Sequence, residues 1–114
     1  MEAETLRWDE FQRVEMRVGT IVAAENFPQA RRSALKLCID FGPSLGKRKT
    51  SAQITDLYRP EQLLGRQVVA VVNFPPKQIA NFMSECLVLG SVSEDGVVTL
   101  LEPERAVANG SRVG

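Results

Sequence analysis

Val68-Val69-Ala70-Val71-Val72 is an apolar run, mostly β-branched, with no polar side. Such a run predicts a strand covered on both faces in the middle of a sheet. Pro75-Pro76 must end it, because proline has no N–H to give to a ladder. Apolar residues return at Cys86-Leu87-Val88-Leu89 and stop at Gly90. The segment from Phe74 to Met83 therefore reads as a stiff, proline-started loop between two core strands. It holds Lys77, Gln78 and Asn81 just after Asn73, together with the apolar Phe74, Ile79, Phe82 and Met83. Loops held by a rigid scaffold are where binding residues concentrate.

The rest of the chain supplies short strands to surround that centre. Arg17 to Glu25 is a first strand, with Gly19 expected as a bend or bulge. Phe27-Pro28 ends it. Leu35, Leu37, Ile39 and Phe41 then alternate with Ala34, Lys36, Cys38 and Asp40, so the first set faces the core and the second faces out. After a turn at Gly42-Pro43-Ser44, Lys47, Lys49, Ser51 and Gln53 oppose Arg48, Thr50, Ala52 and Ile54. Lys49, Ser51 and Gln53 can thus continue the polar face begun by Lys36.

Tyr58 to Gly65 is a short helix, with Pro60 suited to its first position and Gly65 to its stop. Glu94-Asp95-Gly96 turns the chain into Val97 to Leu101. Asn109-Gly110 is a further turn signal. Near the start, Asp9 to Val14 reads as a short helix with Asp9 as its N-cap. Leu6, Trp8 and Phe11 either cover the bottom of a barrel or meet another subunit, since aromatic residues are enriched in interface cores. The order predicts an all-β chain, a five-stranded Greek-key OB-fold barrel with a short helix between strands 3 and 4. A β-sandwich would show about seven regular strands, which are not visible. Residues 1–114 are expected as a single domain. Residues 1–13 form an N-terminal extension and 91–114 a C-terminal hairpin extension, neither needed to close the barrel.

Composition narrows the chemistry. The chain has 114 residues, 14 basic and 14 acidic, and no histidine. The commonest general base and the commonest zinc ligand are both missing. Cys38 and Cys86 lie far apart in apparent strands and read as small buried hydrophobes in a reducing compartment, not a disulfide or a metal pair. No cofactor and no metal are expected. No apolar run has the length of a membrane span, and the acidic start lacks the layout of a signal peptide, so a cytoplasmic chain without membrane insertion is expected. Net charge is zero, but Arg31, Arg32, Lys36, Lys47, Arg48 and Lys49 fall between Gln29 and Gln53, where Asp40 is the one acid. Distribution outweighs the total here.

Five ordered blocks carry a resemblance. They are Val14-Glu15-Met16-Arg17-Val18-Gly19-Thr20-Ile21, Leu35 to Gly42, Ser51-Ala52-Gln53-Ile54, Val71-Val72-Asn73-Phe74-Pro75-Pro76, and Ser84 to Gly90. In that order the chain resembles the tRNA-binding OB domain found alone or appended to some aminoacyl-tRNA synthetases. Within that family it is most similar to small homodimeric bacterial members described as export-related chaperones. The resemblance implies a homodimer built from the terminal extensions, no catalysis, and a tRNA-facing surface. That surface would include Lys36, Ser51, Gln53, Asn73, Lys77 and Ser84, flanked by Arg31 and Arg32. Relatives commonly have glycine where this chain has Asn81, a cation at Met83, and, in synthetase-type domains, Gly-Met at Cys86-Leu87.

Two binding readings follow. In the first, Lys36, Lys49 and Lys77 contact tRNA phosphates while Ser51, Gln53, Asn73 and Ser84 add polar contacts. With few aromatic platforms, recognition would be of RNA shape and backbone, and the lysines are expected to be solvated. In the second, Phe74, Ile79, Phe82 and Met83 hold unfolded, export-destined polypeptide segments, a role that the missing loop cation suits. An enzyme is disfavoured, because no set of nucleophile, base and orienting group can be assembled.

Overall fold

A computed structural model describes residues 4–114, so the acidic start at Glu2 lies outside the described residues. In chain order the elements are α1 (Trp8–Gln12), β1 (Met16–Asn26), β2 (Leu35–Asp40), α2 (Gly42–Leu45), β3 (Lys47–Ala52), α3 (Pro60–Leu63) and β4 (Gln67–Val71). They are followed by β5 (Lys77–Ile79), β6 (Phe82–Ser84), β7 (Leu87–Val88), β8 (Gly90–Val92), β9 (Val98–Leu100) and β10 (Arg112–Val113). The main sheet runs β3-β2-β1-β4-β7, antiparallel throughout, with β10 added to β1. With α3 between β3 and β4, this is the order of a Greek-key OB barrel.

The barrel is nearly closed, and its seam is made by single bonds. Glu85 N–H donates to Lys49 O at 2.7 Å, Lys49 N–H to Glu85 Oε1 at 2.9 Å, and Thr50 Oγ1 to Cys86 O at 2.7 Å.

Alternation fills the interior. Leu35, Leu37, Ile39 and Phe41 are buried with Ile21, Val68, Ala70 and Val72, and Leu63 of α3 joins the same cluster. Each such side chain stabilises the fold by roughly 1.5–3 kcal/mol when fully buried. Val18 and its cross-strand partner Val69 are buried on the opposite face, as is Val71, so β4 is covered on both sides. Ala34, expected to face out, is buried at the approach to β2.

Gly19 is not the bulge. The pairing passes from Ile21↔Ile39 to Ala23↔Cys38 and leaves Val22 as the extra residue. Gly19 instead makes room, since a Cβ there would lie 2.5 Å from Ile39 Cγ2 and 2.7 Å from Phe41 Cδ1. In α1 the N-cap is Arg7, not Asp9. Glu10 Oε1 accepts the Arg7 N–H at 3.1 Å, which is one half of a capping box.

The expected loop from Phe74 to Met83 is in fact largely a hairpin. Lys77 pairs with Ser84, Gln78 with Met83 and Ile79 with Phe82. Its turn holds no glycine, and Ala80 takes a positive φ of 53° instead. The usual two-residue hairpin signal is therefore absent from the sequence. The C-terminal extension is also more deeply involved than expected. Leu100 lies in the core cluster, and its N–H donates to Tyr58 Oη at 2.9 Å. No helix among the described residues is long and apolar enough to cross a membrane.

Candidate nucleic-acid interface

Register builds the outer face of β2 and β3. Lys36 stands opposite Ser51, and Cys38 opposite Lys49. The β5–β6 hairpin brings a ring to this face. Lys49 Nζ lies 5.3 Å and Lys36 Nζ 5.5 Å from the centroid of Phe82, within cation–π range. Phe27, buried at the end of β1, meets Phe82 edge-on at 5.4 Å, and Lys36 Nζ lies 5.0 Å from the Phe27 ring.

The pairing Glu25↔Lys36 adds an ion pair at 3.6 Å that leaves 23% of the lysine side chain exposed. Lys36 was expected to be solvated; packing on two rings and pairing with Glu25 make it half-buried. Lys49 is exposed and has no ion pair among the described residues.

The hairpin has two faces of its own. Cross-strand partners share a side, and so do residues two apart. Lys77, Ile79, Phe82 and Ser84 therefore share one face, and Gln78 and Met83 the other. Ser84 fastens the first face to the barrel. Its Oγ accepts the Ser51 N–H at 3.1 Å and lies 3.2 Å from Thr50 Oγ1. Lys77 is exposed and unpaired among the described residues.

The remaining candidates divide. Gln53 is exposed just beyond β3, and Arg31 and Arg32 are exposed in the bend before Ala34. Asn73 is engaged elsewhere: its Oδ1 accepts the Glu15 N–H at 3.1 Å and its Nδ2 donates to Arg13 O at 2.7 Å. Phe74 and Met83 are exposed, whereas Ile79 and Phe82 are half-buried. Leu6 and Trp8 stand 63% and 70% exposed, and Phe11 is half-buried beside the Trp8 ring at 5.6 Å.

The two thiols differ in burial. Burial pushes the Cys86 thiol up to about 11, against the hydrogen bond from Thr50, so it stays protonated near neutrality. Cys38 lies on the outer face, where the alternation with Leu37 and Ile39 put it, and is half-buried there, not the buried hydrophobe that its residue type suggested. No three His, Cys, Asp or Glu among the described residues converge as metal ligands. A cavity of about 360 Å³ lies beside Glu15, Arg17 and Phe41, and none of the basic-face residues lines it.

The tRNA binding domain family matches residues 16–112. The chain belongs to that family. The chain is also similar to solved structures: the chaperone CsaA from Bacillus anthracis str. Ames superposes with a TM-score of 0.92 at 49% identity, covering 97% of this chain and all (100%) of that one. The CsaA chaperone protein from Picrophilus torridus gives 0.89 at 43% identity, covering 96% and 100%. Among curated relatives, a methionine–tRNA ligase of Porphyromonas gingivalis is 35% identical over 111 residues, 97% of this chain. The chain spans only 16% of that ligase's length.

Sequence reasoning missed three residues at this tRNA-binding domain's basic face. Phe27 was read only as a strand end, Glu25 only as the last residue of the first strand, and Glu85 only as part of the block from Ser84 to Gly90. The run Glu25-Asn26-Phe27-Pro28 carried a signal. A strand that ends there and pairs with the next puts Glu25 across from Lys36. Nothing in the sequence marks Glu85 as the acceptor for Lys49 N–H.

Proposed function

We propose that this chain binds tRNA without catalysis, as a cytoplasmic homodimer acting as one domain over residues 1–114. The observation that carries the reading is the placing of Lys36 and Lys49 at the Phe82 ring beside Ser51, with Ser84 bonded to Ser51 and Lys77 across the hairpin from Ser84. Lys49, Lys77, Arg31 and Arg32 lack acidic partners among the described residues, so their charge is available to phosphates. Gln53 extends the polar surface. The absence of histidine from the sequence supports a binding role. For self-association, the support is Leu6 and Trp8, two large apolar groups left in water beside Phe11.

Binding of bulk tRNA by filter retention at several salt concentrations tests the reading. Affinity should fall steeply with salt, and Lys36→Ala with Lys77→Ala should weaken different tRNAs about equally. Unchanged affinity in that double variant would transfer the case to a second reading, in which the chain holds unfolded, export-destined polypeptides. That reading draws on the exposure of Phe74 and Met83 and on the description of the two CsaA relatives as chaperones. It expects capture of a denatured reporter protein to be lost in Phe82→Ala or Met83→Ala, with Ile79 contributing, and to be indifferent to the lysines.

A further inference from the structure

An aromatic ring among cations on a nucleic-acid face is ordinarily a platform on which a base stacks. The ring of Phe82 has its neighbours already. Lys49 Nζ and Lys36 Nζ stand 5.3 and 5.5 Å from its centroid, and the Phe27 ring meets it at 5.4 Å. We propose that Phe82 is a positioning residue, whose ring gathers Lys36 and Lys49 into one fixed cluster for tRNA phosphates and does not stack on a base. This deepens the tRNA-binding reading and rests on it.

Two ammonium groups on neighbouring strands repel each other. The electron-rich face of a ring attracts both, and Glu25 steadies Lys36 at 3.6 Å. A lysine already held in place loses less rotamer freedom when it grips a phosphate, so the ring converts mobile charge into preorganised charge. The hairpin is built for such a task. Glu85, immediately after β6, accepts the backbone N–H of Lys49 at 2.9 Å, and Ser84 accepts that of Ser51 at 3.1 Å. These two bonds set the ring in register with the lysines.

The test compares the full chain with Phe82→Leu and Phe82→Tyr. Leucine keeps an apolar side chain without the π face, and tyrosine keeps the face. In bulk-tRNA binding across salt, Phe82→Leu should bind more weakly, with a salt slope shallower by ~0.7 unit or more, the value of one lost phosphate contact. Phe82→Tyr should match the parent. Lys36→Ala should cost less in the Phe82→Leu background than in the parent. Weaker binding with an unchanged slope and additive lysine effects would mean that the ring stacks on a base, and would overturn the proposal.

A second readout needs neither tRNA nor a folded Phe82→Leu. In NMR spectra of the free parent protein, the ε-methylene protons of Lys36 and Lys49 should be shifted upfield by the ring. Ordinary shifts there would overturn the proposal even if tRNA binds. A parent protein that binds no tRNA at any salt, with the upfield shifts present, would overturn the tRNA reading and the proposal with it.

Discussion

On the outer face of β2 and β3, charged side chains stand in register on a hydrogen-bonded ladder, and even the partly buried Lys36 has an acid and two rings beside it. At α1 the reverse holds. Leu6, just ahead of α1, and Trp8, its first residue, project into water, and none of the five residues of that helix is buried. The first surface has its shape settled before any ligand arrives. The second gains only by being covered. Binding at the basic face should therefore respond to salt, and association at α1 to protein concentration and apolar area.

The largest expected effect lies at the apolar end. Leu6→Ser with Trp8→Ser removes two large side chains, and a two-fold contact uses each of them twice. At ~1.5 kcal/mol or more apiece, the loss is on the order of 6 kcal/mol of association free energy. Sedimentation velocity at micromolar protein should show a dimer for the parent and a monomer for the variant. A parent that sediments as a monomer breaks the comparison at once, because the apolar end would then have no partner of its own kind.

Next in size is the scaffold under the basic face. Thr50 is fully buried, and its hydroxyl serves Cys86 O on β3's open seam while lying near Ser84 Oγ. Thr50→Val keeps the shape and leaves the Cys86 carbonyl without that donor, at a cost of about 1–3 kcal/mol. The midpoint of denaturant unfolding should fall accordingly. A similar seam replacement at α1 has no counterpart, since nothing there is buried.

A smaller effect separates two lysines that look alike in sequence. Lys77→Ala should change stability by no more than ~0.5 kcal/mol, as for other exposed sites. Lys36→Ala should cost about 0.5–1 kcal/mol, because its ammonium packs on aromatic rings. Both should flatten the tRNA salt dependence by ~0.7–0.9 unit. Equal stabilities for the two variants would show that the rings and Glu25 do not hold Lys36.

The two regions also differ in how far the sequence reveals them. Strand alternation made Leu35 to Phe41 and Lys49 to Ile54 legible, because a period of two is a property of local backbone geometry. The prolines marked the end of β4 equally well. The hairpin was hidden because its turn uses Ala80 and Asn81 where glycine would have announced it. The ring-and-lysine cluster was hidden for a deeper reason. Phe27, Lys36, Lys49 and Phe82 come from four separate segments, and no local pattern says that their side chains converge. The same holds for Asn73, whose amide looked free for RNA and is spent on the backbone of residues 13 and 15. At α1 the sequence left two readings of Leu6, Trp8 and Phe11, and the structure divides the set: Leu6 and Trp8 are exposed, whereas Phe11 is half-buried.

The smallest expected effect sits where the two regions meet, at Glu15 between α1 and β1. The hydrogen bond from the Arg17 guanidinium, at 2.7 Å, holds the Glu15 carboxyl below its ordinary value of 4.5 and outweighs the opposing effect of partial burial. The charges of Arg17, Arg112 and Arg48 act in the same direction. A carboxyl whose folded value is depressed binds fewer protons in the native state than in the unfolded one. Its contribution is therefore complete above pH 4.5 and is lost as pH falls through the lower, folded value. Glu15 is partly solvated, so the contribution is small. Glu15→Gln should flatten the acid limb of the stability profile below pH 4.5 and lower stability slightly above it. Urea unfolding from pH 3 to 7 on both proteins measures the difference. Parallel profiles would mean that Arg17 is held by its other bond alone, the one its Nη1 donates to Gly110 O at 3.0 Å. The junction between α1 and the barrel would then owe nothing to charge, and the contrast between a charged face and an apolar end would extend to the boundary itself.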